Sequence, residues 1–444
     1  MQRTQLVNIF LVVFIVMLGF GLIMPLMPFF AGKYGASSSV VGFLVAAYAA
    51  AQFIGAPILG RMSDRTGRRP ILVVSMAGTA FGFGLLGLAE PLGKALAAVF
   101  SADPTPALQN SVILGVMFLS RIISGLFGGM ITVAQAYIAD ITDESSRTQG
   151  MGMIGAAFGL GFIVGPVMGG VLSQWGFAVP AFAAAGMALL NLGTILFLLP
   201  ESLTAARKAE LMRQEGQRKT SLINLPAMMR KLGAPRLGPL LTIRLFVSLA
   251  MSLFMALFTL WAKDRLGLSA QVTSYVMAYN GLLSIVAQVG LIGPLTRRFP
   301  NAQLMFWGIA MLSLGMFGWA LTASMPVLLL VMIPMAFSTG VLNTVIGSAT
   351  SWAVLPQEMG DALGTSSAFE SMSRVIAPSV GGWLLGALGA WAPGVLGGIL
   401  VAGLAIFAYR RLILHPDPPL PVPALLGQAT QEPVGAAAPA AEAA

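Results

Sequence analysis

Two residue types that carry much of protein chemistry are absent or nearly absent from this chain of 444 residues. It contains no cysteine and a single histidine, His415. Thiol nucleophiles, disulfide bonds and metal sites built from cysteine and histidine are therefore excluded. His415 begins a proline- and alanine-rich segment, where we assign it no role.

Charged residues are also scarce. They make up 9% of the chain, whereas soluble proteins carry about 25%. Hydrophobic residues make up 57%, and the mean hydropathy is +0.85. Uncharged apolar runs of about 18 residues or more recur throughout, and each could cross a hydrocarbon core of ~30 Å. We therefore predict an all-α polytopic membrane protein, because the strands of a membrane β-barrel are short and alternate in polarity.

Twelve transmembrane helices are predicted, arranged as two pseudo-symmetric six-helix bundles. The predicted spans one to twelve cover residues 6–28, 40–59, 70–89, 111–139, 148–173, 178–199, 238–262, 271–293, 302–321, 325–350, 361–386 and 390–410. The corresponding domains are an amino-terminal bundle at 1–199, a cytoplasmic linker at 200–237, a carboxy-terminal bundle at 238–411 and a disordered cytoplasmic tail at 412–444. Within the linker, Leu222, Leu225 and Met229 lie at helical spacing, which fits either a helix on the membrane surface or a partly ordered linker.

The two halves repeat each other weakly. Gly35 corresponds to Gly267, and the Gly-Pro pair at Gly165 corresponds to the Ala-Pro pair at Ala377. A duplicated six-helix unit is typical of transporters, which place their substrate site near the membrane midplane between the halves.

The net charge of +9 follows from membrane topology. Eighteen of the 25 Lys and Arg residues fall in segments that we place in the cytoplasm, including both termini, four lie outside and three lie in spans. Short cytoplasmic loops are enriched in Lys and Arg, so the basic excess requires no nucleic-acid partner. The most basic of these loops, Gly60–Pro70, holds four arginines and one aspartate between two uncharged runs.

Four motifs together resemble the major facilitator superfamily, and within it the twelve-span drug:proton antiporters. The Gly60–Pro70 loop is similar to the family's G-x-x-x-D-R-x-G-R-R signature. The other three are Leu18-Gly19 with Pro25 and Pro28 in span one, Arg121 with Gly125 in span four, and Gly161-x-x-x-Gly165-Pro166-x-x-Gly169-Gly170 in span five. The nearest likeness is to tetracycline efflux proteins.

This resemblance implies roles for two of the motifs. Gly60, Asp64, Gly67 and Arg68 would form a conformational latch, in which Arg68 pairs with Asp140 and Asp64 meets the cytoplasmic end of span eleven. The alternative is that these charges only anchor topology, although that leaves Asp64 unexplained. In span five, Gly161, Gly165, Gly169 and Gly170 with Pro166 would form the antiporter motif, or else serve only generic packing of small residues.

Three of the charged residues inside the predicted spans are the candidates for proton coupling: Arg121, Glu370 and Arg374. Arg121 lies about 15 Å into span four, where a charge is costly unless it faces a cavity or a partner. It would either guide protons or substrate, or hold a structural hydrogen-bond network. Glu370 and Arg374 share one face of span eleven, so Glu370 is either a proton carrier or half of a structural ion pair.

The chain departs from the tetracycline pattern at two positions. Val16 and Gly82 stand where those proteins carry aspartates, which argues against tetracycline as the substrate. The expected cavity is instead apolar or neutral, with candidate substrate contacts at Met17, Phe20, Met24, Tyr48, Gln52, Tyr279, Asn280 and Asn343.

The leading functional hypothesis is an exporter of hydrophobic small molecules that takes protons in exchange by alternating access. The alternatives are a carrier for a metabolite or sugar and a membrane receptor that transports nothing. An enzyme is not expected, and neither a cofactor nor a metal is required. The expected partners are the substrate, protons and the lipid bilayer of the cell membrane, and the chain is expected to work as a monomer.

Overall fold

The computed structural model describes residues 2–142, 144–204, 208–209, 213, 225–355 and 358–415. Within these ranges every regular element is helical, as predicted. Two predictions fall partly outside the described residues. Of the predicted linker helix, Leu222 lies outside them, whereas Leu225 and Met229 belong to a helix at Leu225–Lys231. The predicted tail lies outside them from residue 416 onward.

Ten helical segments are long and apolar enough to cross a membrane. They are Thr4–Lys33, Ser38–Thr66, Arg68–Gly87, Pro106–Ile141, Gly150–Trp175, Ala178–Leu198, Leu237–Leu266, Asn301–Leu321, Met325–Trp352 and Ala392–Leu414. They match predicted spans one to seven, nine, ten and twelve.

The predicted spans eight and eleven are helical but do not meet the same criterion. Span eight is a helix at Ala270–Val286, followed by a π-helical turn at Ala287–Leu291 and a short helix at Ile292–Arg298. Span eleven is a continuous helix at Met359–Leu388 that carries three charged side chains. Within the described residues, ten helical segments therefore meet the criterion for a membrane span, and the regions predicted as spans eight and eleven are also helical.

Several predicted boundaries were wrong. Span one does not end at residue 28, because a 3₁₀ turn at Met24–Leu26 leads into a further helix at Met27–Lys33. Pro25 and Pro28 both stand in the first turn of these new segments, where proline's missing N–H costs nothing. Span twelve continues through a π-helical turn to Leu414, so the predicted tail begins too early.

The prediction of span four as one continuous helix over 111–139 was wrong. The span divides into Pro106–Leu126 and Met130–Ile141. Gly128 and Gly129 supply the break, since glycine is the least favourable helix former after proline. Between predicted spans three and four, the chain forms a further helix at Ala89–Phe100.

The repeat between the halves is visible in matching turns before spans two and eight. Gly35 and Gly267 both adopt a positive φ, of 74° and 63°. Two residues later, the hydroxyl oxygens of Ser37 and Ser269 accept hydrogen bonds from the backbone N–H groups of Val40 and Val272. The same glycine turn and serine cap thus start the same helix in each half.

The buried apolar residues show that the halves meet at one end of the molecule. We call the end that holds Gly60–Pro70 the basic end. The larger core cluster runs through the second half and continues into the first half at the opposite end, through Phe30, Val41 and Leu86. At the basic end, the first half has a core cluster of its own, which includes Ile9 and Ile138.

Two close contacts between the halves also lie toward that opposite end. A Cβ added to Gly42 of span two would lie 2.3 Å from the Pro378 carbonyl oxygen of span eleven. One added to Gly170 of span five would lie 2.9 Å from the Cβ of Ser274 in span eight. These contacts close the molecule at the end away from the basic loop, which we call the closed end.

Candidate functional site

A small cavity lies within the first half, and its walls combine aromatic, methionine and polar side chains. Its volume, counted as the space that the centres of water molecules can occupy, is about 30 Å³, which is enough for about two waters. Four of the predicted substrate contacts share this cavity: Met17, Phe20, Tyr48 and Gln52. The other lining residues are Val16, Met76, Thr79, Phe83, Ser124, Gly128, Met130 and Ile131.

Arg121 lies beside this cavity and is 5% exposed. Its guanidinium carbon is 5.7 Å from the ring centroid of Tyr48 and 5.4 Å from that of Phe83, so two aromatic rings from different spans flank the charge. Within the described residues, its Nε and Nη2 atoms are buried and have no hydrogen-bond partner. Span four therefore presents a buried cation with free donors next to the cavity.

Glycines bring the neighbouring spans close to Arg121. A Cβ added to Gly125 would lie 2.4 Å from the carbonyl oxygen of Tyr48, so this motif glycine permits span four to contact span two through its backbone. A Cβ added to Gly82 would lie 2.1 Å from the hydroxyl oxygen of Ser124. A side chain at this position, where the resemblance implies an aspartate, would therefore require the Ser124 hydroxyl to move.

A second charged cluster joins three spans of the second half. Glu370 of span eleven accepts a hydrogen bond from Arg374, at 2.8 Å, and forms an ion pair with Arg244 of span seven through its other oxygen. Arg244 also donates to the side-chain oxygen of Asn343 in span ten, at 2.8 Å. Both carboxylate oxygens of Glu370 are thus engaged by arginines.

Arg244 is the residue that sequence reasoning missed. The signal was present, because Arg244 is one of three basic residues in the predicted spans. Its partner could not be read from helical spacing, since Glu370 lies 126 positions away in the chain. Glu370 is therefore shared between a local partner at i+4 and a distant one.

The basic loop forms a compact ionic cluster around Arg68, whose side chain is 5% exposed. Its guanidinium group donates to Asp140 at 2.9 Å and to Ser63 at 2.7 Å, and it pairs with Asp64. Glu201, after span six, accepts from the backbone N–H of Arg68 at 2.9 Å. The structure thus brings Asp64, Arg68 and Asp140 together.

Two glycines shape the same loop. Gly67 adopts a φ of +123°, which disfavours residues with a side chain, and ends span two. The carbonyl oxygen of Gly60 accepts a hydrogen bond from the Ser63 hydroxyl at 2.7 Å. The implied meeting of Asp64 with span eleven is not among the contacts between described residues.

Replacing Arg68 is expected to damage the protein more than changing its neighbours. Arg68→Gln leaves Asp140 buried without its cation, which costs about 3–5 kcal/mol for a fully buried pair. Because the Asp64 side chain is 38% exposed, Asp64→Asn should cost less stability while still impairing transport. Arg65→Lys keeps its charge and should be mildest. Thermal unfolding in detergent checks this order, and an Arg68→Gln variant as stable as Arg65→Lys would contradict it.

The antiporter motif packs span five directly onto the backbone of span one. A Cβ added to Gly161 would lie 2.5 Å from the Cβ of Met17, and one added to Gly169 would lie 2.4 Å from the carbonyl oxygen of Leu22. Gly165 lies between them, against Gly21. Pro166 lies inside this continuous helix, and Gly170 faces span eight instead.

Gly165→Ala should therefore be strongly disruptive, although alanine is the better helix former. Its methyl group would lie 2.8 Å from both the Leu18 carbonyl oxygen and the Gly21 Cα, so the spans must separate. Overpacking of this kind costs about 1–3 kcal/mol. Gly155→Ala is the matched control, since an added Cβ there meets nothing within 4 Å in the same helix. Equal thermal stability and transport of the two variants would show that the contact is unimportant.

The remaining predicted substrate contacts do not line the first-half cavity. Met24 lies in the 3₁₀ turn of span one, and Tyr279 donates to the carbonyl oxygen of Leu329 at 3.5 Å. Asn280 is buried, and its side-chain oxygen has no partner among the described residues. Asn343 belongs to the Arg244 cluster. The structure thus distributes these four positions over other parts of the molecule.

At the closed end, an exposed ionic cluster joins the end of span one to the helix at Ala89–Phe100. Glu90 accepts hydrogen bonds from Lys33 and Lys94, both at 2.8 Å, and from the Tyr34 hydroxyl. These donors lower the pKa of Glu90 to about 2, and burial together with Glu90 raises the pKa of Tyr34. Because the folded state lowers the pKa of Glu90, the cluster contributes fully to the free energy of unfolding at pH values above the ordinary pKa of a glutamate. This contribution is lost only as the pH falls toward 2.

Comparison with known proteins agrees with this architecture. The model of the Major Facilitator Superfamily matches residues 9–350 and 240–436. The tetracycline resistance protein, class C, of Escherichia coli is 32% identical over 300 residues, which cover 67% of this chain and 68% of that protein. Multidrug resistance protein 2 of Bacillus subtilis (strain 168) is 26% identical over 384 residues, which cover 86% and 89% of the two chains.

A solved structure shows the same fold. The human organic anion transporter MFSD10 (TETRAN) superposes with a TM-score of 0.65 at 21% identity, over 92% of this chain and 99% of that chain.

Proposed function

Because the chain belongs to the major facilitator superfamily, we propose that it exports hydrophobic small molecules across the cell membrane in exchange for protons, by alternating access. It is a multi-pass membrane transporter rather than an enzyme. The basic end would face the cytoplasm, since short basic loops remain there. The described contacts at the closed end would then correspond to an inward-facing state.

The observation that carries this proposal is the packing of span five on span one through Gly161, Gly165 and Gly169. This is the motif by which the chain resembles antiporters. The relatives named for tetracycline and multidrug resistance support export in the same direction. The buried apolar walls of the first-half cavity suit a hydrophobic substrate.

Proton exchange would depend on Glu370, which among the described residues is the one carboxylate that lies within a span and away from its ends. A proton that binds Glu370 would release Arg244 and Arg374 from their shared partner. Because the three residues lie on spans seven and eleven, a change in this cluster would alter the contact between those helices. The cluster would thus translate proton binding into movement within the second half.

A second candidate is a carrier for an organic metabolite, taken up or exported. It is favoured by the lack of any carboxylate within the described parts of the first six spans, except near their ends. A receptor without transport leaves Arg121 and Glu370 unexplained.

Everted membrane vesicles test the proposal. With an acidic interior generated by respiration, each exported substrate that enters a vesicle should release protons and partly collapse the pH gradient. The panel should include hydrophobic drugs and polar metabolites, and vesicles without the protein are the control. Collapse by drugs alone supports drug export, whereas collapse by metabolites alone would replace it with the metabolite carrier.

A further inference from the structure

Among the charged residues deep in the described spans, positive charges outnumber negative ones. Leaving aside residues within about one and a half turns of a span end, the described spans hold Arg121, Arg244, Arg374 and Glu370. These described spans therefore contain three positive charges and one negative charge. Glu370 is already shared by two arginines of the second half, so nothing of opposite charge remains for the first half.

The unpaired nitrogens of Arg121 form one edge of its guanidinium group, which is buried beside the cavity. Nε and Nη2 are the two nitrogens whose N–H bonds run parallel along one side of that group. This is the edge that grips both oxygens of a carboxylate through two parallel hydrogen bonds. In Arg121 these are the atoms that lack a partner within the described residues.

A second unsatisfied group lies on the same face of span four. The hydroxyl of Ser124, three residues after Arg121, is buried and likewise has no partner in the described part of the chain. Ser124 lines the first-half cavity, as do the two rings that flank Arg121. A buried polar group that remains unsatisfied costs free energy, so this arrangement is stabilised by any ligand that supplies acceptor oxygens.

The rest of the cavity suits the apolar part of such a ligand. Met17, Phe20 and Met76 line it, and the sulfur-containing side chains can adapt to different shapes. The two positions at which an acid could have favoured a cation carry none, since Val16 is apolar and Gly82 has no side chain.

From this geometry we infer that the substrates are amphiphilic organic anions whose carboxylate or sulfonate binds Arg121 and Ser124. The inference rests on the proposed transport function and names its substrate class. The present cavity holds only water-sized groups, so the anion would enter the conformation in which the halves have separated around it.

Three probes share one apolar body and differ in the charge of the headgroup, so they test which headgroup the protein prefers. They are phenylbutyrate, phenylbutyramide and phenylbutylammonium. Their binding to the purified full-length protein is measured by competition or thermal shift at neutral pH, without a proton gradient. The expected order places phenylbutyrate first, by on the order of tenfold over the amide. Equal binding of all three, preference for the ammonium, or no binding of phenylbutyrate would overturn the inference.

Variants assign the preference to Arg121. Arg121→Gln should reduce the affinity for phenylbutyrate by about tenfold and leave that for the amide unchanged, and Arg121→Lys should retain part of it. Should Arg121→Gln fail to fold, Val16→Asp supplies the second test, because a carboxylate on the cavity wall should repel the anion and favour the ammonium. Arg297→Gln, which removes an exposed positive charge, is the control. A preference for phenylbutyrate that survives both Arg121→Gln and Val16→Asp would overturn the assignment and leave Arg121 as a hydrated structural residue.

This binding experiment is independent of proton exchange. Anion binding without any effect on the pH gradient in vesicles would contradict the proposed exchange alone. Collapse of the gradient by neutral or cationic drugs, in a protein that ignores phenylbutyrate, would contradict the anion preference alone.

Discussion

Oxidation of a Ser38→Cys, Gly386→Cys double variant is expected to abolish transport, and a reducing agent should restore it. A Cβ added to Gly386 of span eleven would lie 3.7 Å from the Cβ of Ser38 in span two. Disulfides have a mean Cβ–Cβ separation of about 3.8 Å, so a bond can form with little rearrangement. It would fasten the halves together at the closed end, which must part if access alternates.

The chain is well suited to this experiment because it contains no cysteine of its own. Each single variant should remain active under oxidation. To follow formation of the disulfide, the protein is cleaved between its halves and run, unboiled and unreduced, on a denaturing gel, where only the cross-linked halves migrate together. Ser38→Cys with Gly84→Cys is a further control, since Gly84 has nothing within 4 Å of an added Cβ. A complete disulfide with unchanged transport would show that the closed end does not open.

Much of the fold could be predicted from the sequence because the membrane constrains it strongly. Uncharged runs identified the spans, and the helical fold and family resemblance were confirmed. Matching glycine and serine positions also indicated the repeat, since Gly35 and Gly267 start equivalent turns. These features depend on composition and local backbone conformation, which sequence displays directly.

The features that sequence alone did not reveal are one contact between distant spans and one local break in a helix. The pairing of Arg244 with Glu370 arises from packing of spans seven and eleven, and no spacing along the chain encodes it. The break near Gly128 was missed because the surrounding residues are as apolar as an unbroken span. The pairing of Arg68 with Asp140 was proposed from family resemblance, and the structure places these side chains 2.9 Å apart.

Glu370→Gln is expected to uncouple transport from the proton gradient. The substitution keeps the size of the side chain but removes the negative charge shared by Arg244 and Arg374. A neutral amide cannot alternate between a charged and an uncharged form, so proton arrival would no longer change the cluster. Collapse of the pH gradient by substrate should fall by about tenfold or more, whereas exchange of labelled for unlabelled substrate without a gradient should continue.

The controls separate coupling from simple loss of structure. The Glu370 side chain is 33% exposed and that of Arg244 is 15% exposed, so removing the charge should cost less than the ~3–5 kcal/mol of a fully buried pair. Glu370→Asp keeps a carboxylate and should retain part of the coupling. Arg374→Gln leaves the pair with Arg244 and should lower transport without removing its dependence on the gradient. If Glu370→Gln inserted normally and still exchanged substrate for protons, Glu370 would be a structural partner of the two arginines and the proton would have to bind elsewhere.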